Sequence, residues 1–180
     1  NPCMKTLQQG NQPSPGYGRQ SRPVLTQTQN NTTLWVGHLQ SDPNGRLAGQ
    51  TFQCPSDGLL SNIQVFSSAV GQEGEVLLTL HEFDQASKAW GPAIADSHFL
   101  IERKDVSHWI SFELEPVQLQ KDKVYGFRLK SDTALIGFGE AASHAHQPFS
   151  FGHSWSCHAA NEQGHFYKYF SLAFKVEMCA

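Results

Sequence analysis

The four tryptophans are the residues of this chain whose type most directly suggests a binding site. The apolar face of a sugar ring stacks on an indole, while the sugar hydroxyls need planar polar partners. Trp90 follows a turn-forming stretch and precedes glycine and proline, and Trp155 stands in a segment rich in glycine, serine and histidine. These two are the candidates for stacking on a ligand, and Trp109, which opens a strand pattern, is a third. The alternative for each ring is that it anchors a loop.

Polar side chains on the predicted strands supply the partners that a sugar would need. Arg128 alternates with apolar residues, so it projects from the opposite face of its strand. A planar guanidinium in that position suits paired hydrogen bonds to diols or carboxylates. We expect His81 and Glu140 on the same polar face, whereas a surface ion pair is the expectation for Glu82. The predicted ligand-binding residues are Trp90, Trp155, Arg128, His81, Glu140 and Trp109.

The histidines are the second group that could carry chemistry. Five of the nine lie in one segment, at His144, His146, His153, His158 and His165. A His-x-His pair on a strand puts both imidazoles on one face, and cupin-type jelly-roll enzymes combine such a pair with a glutamate and a further histidine. No glutamate follows His146 before Glu162, so the sequence predicts neither a metal nor a cofactor. The alternative is a metal-dependent jelly-roll enzyme that uses the 144–165 loop, with His144, His146 and His153 as candidate ligands.

Other classes of function find little support in the sequence. The motifs of nucleotide-binding proteins, serine hydrolases, zinc proteases and calcium-binding loops are absent. A glycosidase needs two carboxylates at a set separation across a cleft, and the sequence does not show that any two glutamates converge. The net charge of −3, the pI of about 6.3 and the lack of a basic stripe argue against nucleic acid. No apolar run is long enough to span a membrane. We therefore predict a non-catalytic binding protein.

The elements that must position these residues are β-strands. Apolar and polar residues alternate over residues 110–114 and again over 125–130. A period of two places alternate side chains on opposite faces of a sheet, so the two segments predict an antiparallel pair. Pro116 is expected to break the ladder in the connection between them. Further strands are predicted over residues 34–37, 47–54, 59–66, 76–84, 99–102, 134–140 and 166–177, and no helix is expected.

This spacing of strands predicts the fold class and the domain boundary. Short strands separated by glycine, proline and aspartate turns are typical of all-β sandwiches and barrels. We predict an all-β jelly-roll β-sandwich of two antiparallel sheets with eight or nine strands, formed by residues 34–180. Residues 1–33 are rich in glutamine, asparagine and proline, which predicts a flexible tail or linker. The alternative is an arm that docks on the domain through Val24 and Leu25.

The four cysteines do not decide between an oxidising and a reducing compartment. None of them forms a C-x-x-C pair, which argues against a zinc ribbon or a thioredoxin-like motif. An even number in a strand-rich chain is compatible with disulfides and an oxidising compartment. Four reduced thiols are the alternative.

Several segments resemble a known group of domains. They read QTFQCPSDGLLSNIQVF, EVLLTLHEFD, HWISFELEPVQLQKDKVYGFRLK and YFSLAFKVE, and the resemblance that they carry covers about residues 49–177. This series resembles bacterial extracellular jelly-roll accessory modules, which are carbohydrate-binding-module-like domains of secreted and cell-surface proteins. The resemblance implies a lectin-like module with a glycan or polysaccharide partner, in a secreted, cell-surface or periplasmic location. This chain departs from the pattern at Asp122 and Lys123, where a glycine is usual, and in its longer, histidine-rich 141–165 segment.

Overall fold

The computed structural model describes Cys3 and residues 21–39, 45–145, 148–158 and 163–180. These residues form thirteen strands and one short 3-10 turn, η1 (Arg103–Asp105). No helix in these ranges is both long and apolar enough to cross a membrane. The strands are β1 (Ser21–Gln27), β2 (Thr32–Gly37), β3 (Arg46–Gln53), β4 (Gly58–Gln72), β5 (Gly74–Asp84), β6 (Ala89–Ile101), β7 (His108–Leu119), β8 (Val124–Lys130), β9 (Leu135–Ala142), β10 (Ser154–His158), β11 (His165–Tyr167), β12 (Phe170–Leu172) and β13 (Phe174–Cys179).

The described strands belong to one hydrogen-bonded antiparallel network. It forms two layers, and the long strand β4 takes part in both. The first part of β4 pairs with β13 and β7, and β13 pairs with β1, which forms the narrow layer β1–β13–β4–β7. From Ser67 onward β4 pairs instead with β9. The wide layer continues from β9 through β2, β3, β8, β5 and β6. The β10–β11 hairpin lies beside β3, and β12 lies beside β9.

The two layers pack against each other through aromatic side chains, so the fold is all-β and β-sandwich-like. The ring of Phe174, in the narrow layer, lies 6.2 Å from that of Phe52 and 5.8 Å from that of Phe127, both in the wide layer. Phe112 of β7 lies 6.2 Å from Phe99 of β6. All of these rings except that of Phe99 are fully buried. The all-β fold and the apolar faces predicted for β7 and β8 are confirmed.

The strands β7 and β8 do not form the antiparallel pair that the sequence predicts. β7 pairs with β4 in the narrow layer, and β8 pairs with β3 and β5 in the wide layer. Both strands direct apolar side chains at the same core from opposite sides, so the same alternation fits either arrangement. Pro116 lies within β7, where the pairing with β4 shifts register between Glu113 and Val117. A proline is tolerated at such an irregularity because no ladder donor is needed there.

Several strands are longer or more divided than the sequence predicts. β6 begins at Ala89, ten residues before the strand predicted over 99–102, and ends at Ile101, so Trp90 lies on a strand directly after the turn. The predicted strand 166–177 is divided among β11, β12 and β13, and β10 forms in a segment expected to be a loop. The backbone of β10 pairs with β3 over five residues. Such pairing does not require an apolar sequence, so the side chains of this segment did not reveal the strand.

The N-terminal segment belongs to the fold from Ser21 onward, so the boundary predicted at residue 34 is wrong. β1 pairs with the edge of β13, and Val24 and Leu25 pack against the core. Backbone hydrogen bonds to a free strand edge add stability that amino-acid composition does not predict. Pro23 is compatible with this position because β1 is itself an edge strand. Residues 1–2 and 4–20 of the predicted tail lie outside the described residues.

A disulfide joins the two ends of the described chain. Cys3 is bonded to Cys179, which is 176 residues away, and the two Cα atoms are 5.5 Å apart. Cys3 is almost completely buried, and Cys54 and Cys157 are buried as well. Of the two possibilities that the sequence leaves open, the structure thus contains the disulfide.

Candidate functional site

Four of the six predicted ligand-binding residues lie together on the outer face of the wide layer. Trp155 on β10 is opposite Gly49 on β3, which is opposite Arg128 on β8, so these residues form one row across three strands. His81 and Trp90 reach the same row from the β5–β6 hairpin. The rings of Phe83 and Phe166 complete the group. We call it the outer aromatic cluster: Phe83, Trp90, Trp155 and Phe166, with His81 and Arg128.

Ring contacts within the cluster are close enough to make it a small core of its own. The centroids of Trp90 and Trp155 are 5.4 Å apart, and Phe83 lies 5.3 Å from Trp90 and 5.2 Å from Phe166. Trp90 lies against Gly126, where an added Cβ would be 2.5 Å from its Cζ3 atom. These ring contacts therefore join the β5–β6 hairpin to the β10–β11 hairpin and hold both against the sheet surface.

Arg128 contacts the two tryptophans of the cluster. Its guanidinium carbon is 4.4 Å from the Trp90 ring centroid and 4.6 Å from that of Trp155. A guanidinium at this distance from an indole is attracted to the negative face of the ring. Arg128 does project from the face opposite the core, as the sequence predicts. In this position it holds the two rings together.

His81 is a buried link between β5 and β6. Its Nδ1 atom is 2.8 Å from the carbonyl oxygen of Gly91, which can only accept, so Nδ1 carries the proton. Its Nε2 atom is 2.8 Å from Oγ1 of Thr79, which therefore donates to the unprotonated nitrogen. Burial lowers the pKa of His81, the bond to Gly91 partly opposes this, and the nearby Arg128 lowers the pKa further. The site thus favours a neutral imidazole.

Trp155 is not the exposed ring that the sequence predicts. It is 1% exposed, so neither ring face is open to a ligand. The indole lies between Gly49 and Gly164, and its Nε1 donates to the carbonyl oxygen of Gln163 at 3.4 Å. Trp90 is half-buried. The stacking position expected at Trp155 is therefore corrected to a structural one.

Glu140 does not lie on the polar face with His81 and Arg128. It follows Ile136 and Phe138 at a spacing of two on β9, so its side chain points toward the interior, and it is 5% exposed. Its Oε2 accepts a hydrogen bond from Oγ of Ser154 at 3.1 Å. Burial raises the pKa of Glu140, and the bond from Ser154 partly opposes this. Glu82 does form the expected surface ion pair, 2.6 Å from Nζ of Lys123.

Trp109 lies on the opposite side of the molecule from the cluster. It is half-buried on the outer face of the narrow layer, where its ring meets Phe66 edge-on at 5.3 Å. Nζ of Lys175 lies 4.2 Å from the Trp109 centroid. The structure therefore does not bring Trp109 together with the other predicted ligand-binding residues.

The described histidines among the candidate metal ligands, His144 and His153, are not assembled into a centre. His144 is exposed after β9, whereas His153 is half-buried beside β3, where burial lowers its pKa. His146 lies outside the described residues. Within the described ranges, no group of three or more histidine, cysteine, aspartate or glutamate side chains is placed to hold a metal ion.

A cleft that the sequence analysis did not anticipate opens beside the β10–β11 hairpin. β2 and β3 pair only at Gly37 and Arg46, and they diverge beyond that point. The cleft between them has a volume of about 310 Å³, at the lower end of the range for small-molecule sites. Its lining includes Thr33, Trp35, Arg46, His158, His165 and Tyr167.

The hairpin presents two faces with different roles, because neighbouring residues of a strand point to opposite sides. Trp155 and Phe166, which pair across the hairpin, belong to the outer aromatic cluster. His165 and Tyr167, on the other face, line the cleft. The cluster therefore fixes the position of the cleft wall.

Two aromatic residues give the cleft a surface for stacking. Tyr167 is 40% exposed, and its ring is supported edge-on by Phe170 at 5.9 Å. Trp35 is half-buried opposite Gly137 of β9, where an added Cβ would come within 3.3 Å of the indole. Sequence reasoning identified Trp35 only as one of four tryptophans. The glycine that accommodates it is 102 positions away and could be recognised only once the strand pairing was known.

Comparisons with known proteins do not assign the chain to a family. The sequence matches no protein-family model and no curated protein. The geometry of the described residues is therefore the basis for a functional proposal.

Proposed function

We propose that this protein is a non-catalytic module that binds glycans in the cleft between β2 and the β10–β11 hairpin. The observation that carries the proposal is the combination of aromatic and polar side chains in one cleft. Tyr167 and Trp35 supply rings for a sugar face, while Arg46, His158 and His165 supply hydrogen-bonding groups. A lectin-like site requires this combination, because sugar hydroxyls buried without partners would oppose binding.

The rigidity of the cleft wall also supports a binding role. Arg128, Trp90 and Trp155 fasten the hairpin from its outer face, so Tyr167 and His165 are held in place before a ligand arrives. A preformed site loses less conformational entropy on binding than a flexible one. In this proposal Arg128 and His81 position the site and do not contact the ligand.

The resemblance to bacterial extracellular jelly-roll accessory modules leads to the same proposal. Such modules are carried by secreted or cell-surface proteins, and we propose that location, together with a jelly-roll topology, for this chain. The Cys3–Cys179 disulfide is a supporting observation, because structural disulfides persist mainly in oxidising compartments.

The test is a glycan array followed by calorimetric titration of the best-binding glycan. Tyr167→Ala should weaken binding by about 1–3 kcal/mol, the scale for loss of a well-packed aromatic anchor. Tyr169→Ala is the matched control, because Tyr169 is 52% exposed and is not among the described residues that line the cleft. Both variants should melt close to the wild type, since neither ring is buried.

Two other functions are distinguishable outcomes of these experiments. If no glycan binds the folded wild type, the glycan proposal fails and a structural spacer or adhesin domain becomes the better description. If elemental analysis finds one equivalent of a transition metal that is lost on replacing His144 and His146, a metal-dependent enzyme becomes the better description. Equal loss of affinity in the Tyr167 and Tyr169 variants would place the glycan outside the cleft.

A further inference from the structure

The charged and titratable side chains of the cleft share one face of three adjacent strands. Arg46 of β3 is directly opposite His158 of β10, so their side chains point to the same side. His165 of β11 is opposite Ser156, which is two residues before His158 and therefore also on that side. Tyr167 follows at the next position of the same face. A guanidinium, two imidazoles and a phenol thus form one continuous patch.

The part of the cleft lining that the structure describes offers no acidic counterpart to this patch. Among the described residues that line the cleft, none is an aspartate or a glutamate. Arg46, His158 and His165 are each exposed, so a ligand can reach them. Directly opposed residues of antiparallel strands have Cβ atoms about 5 Å apart. One anionic group could therefore meet Arg46 and His158 at the same time.

A guanidinium favours an anion over a neutral hydroxyl, and an imidazole N–H beside it can donate a further hydrogen bond to the anion. The planar fork of Arg46 matches the two oxygens of a carboxylate or a sulfate, and such charge-assisted bonds are about twice as strong as neutral ones. A concave site lined by one sign of charge also concentrates ligands of the opposite sign. A sugar with an acidic substituent would use both the aromatic surface and this patch.

We infer that the cleft selects acidic glycans, in which a carboxylate or sulfate group is held by Arg46 and His158 while the sugar ring contacts Tyr167. This inference rests on the proposed glycan-binding function and adds the chemical class of the ligand. His165 lies on the same face of the hairpin as His158 and contributes a further hydrogen-bond donor to the acidic group.

The experiment compares sugars that differ only in charge. The probes are α-1,4-tetragalacturonate and its fully methyl-esterified form, sulfated and unsulfated N-acetyllactosamine, and a general array of acidic and neutral glycans. At least one acidic probe should bind about tenfold or more tightly than its neutral counterpart, because one charge-assisted hydrogen bond contributes at least that much. The carboxylate and sulfate pairs show which of the two groups is preferred.

Two arginine variants locate the anion site. Arg46→Gln should remove most of the preference for the acidic form, so that the acidic and neutral forms bind with similar affinity. Arg22→Gln is the matched control, because Arg22 is an exposed arginine on β1 of the narrow layer. It should retain the full preference. Thermal melts of both variants confirm that each is folded at the titration temperature.

The outcomes separate this inference from the function on which it rests. Equal binding of acidic and neutral glycans, lost in Tyr167→Ala, would overturn the acidic preference and leave glycan binding intact. A preference that survives Arg46→Gln would overturn the assignment of the anion to this cleft. Failure of every array glycan to bind would overturn the proposed function, and this inference with it.

Discussion

Trp155 lies directly opposite Gly49 in the pairing of β10 with β3, and a Cβ on Gly49 would approach its indole to 3.2 Å. The glycine lets the tryptophan lie against the sheet surface, where it contacts Trp90 and Arg128. Trp155 lies on the same strand as His158, which lines the cleft. We therefore expect the stability of the hairpin and the proposed glycan binding to be coupled through this contact.

Trp155→Ala should lower the free energy of unfolding by about 3–5 kcal/mol, as truncation of a buried large ring usually does. An exposed ring that stacks on a ligand would contribute little to stability, whereas Trp155 is buried. Urea denaturation provides the measurement. Trp109→Ala is the control, because its ring is half-buried on the other layer and should cost less. A loss below about 1 kcal/mol for Trp155→Ala would show that the cluster does not hold the hairpin.

Acidification should destabilise the protein through His81. Because the pKa of His81 is lowered in the folded state, the unfolded chain takes up the proton first, near an ordinary value of about 6.5. The contribution of His81 to stability is present above that pH and is lost as the pH falls through the folded value. His81→Asn, whose amide can still donate to Gly91, should flatten this part of the profile. Chemical denaturation between pH 7.5 and 5 measures it, and parallel profiles would contradict the assignment.

Glu140→Gln should raise stability at neutral pH. The pKa of Glu140 is raised by burial, so its stabilising form is the protonated one. That contribution is complete below the unfolded value of about 4.3 and is lost as the pH rises through the folded value. Glutamine is neutral at every pH and can still accept the hydrogen bond from Ser154. The variant should therefore melt above the wild type at pH 7, with the gap closing toward pH 4. A lower melting temperature at pH 7 would indicate that the carboxylate is compensated.

Cys3→Ser should lower the free energy of unfolding by about 2–5 kcal/mol, the usual cost of losing a structural disulfide. The disulfide between Cys3 and Cys179 closes almost the whole chain and therefore restricts the unfolded state strongly. Removal of residues 1–20 should have a similar effect, although the composition of that segment predicts little contribution. Denaturation curves with and without reductant are the measurement. In reductant the variant and the wild type should coincide, and a difference that persists there would have another cause.

The sequence by itself determined the fold class and the inward faces of the principal strands. Alternation with a period of two is a local property, and it correctly placed Phe112, Phe127 and Phe174 in the core. For the same reason it placed Arg128 on the outer surface. These results depend only on the preference of apolar side chains for the interior, which neighbouring residues already reveal.

Only the tertiary structure decided which strands are neighbours, and this determined the site. Alternation does not distinguish one partner strand from another, so it could not show that β7 and β8 lie in different layers or that β1 extends the narrow layer. It also could not show that Trp155 meets Gly49, 106 positions earlier, and is buried there. The cleft brings together Arg46, His158 and Tyr167 because β2 and β3 diverge, and that geometry arises from backbone pairing over long sequence separations.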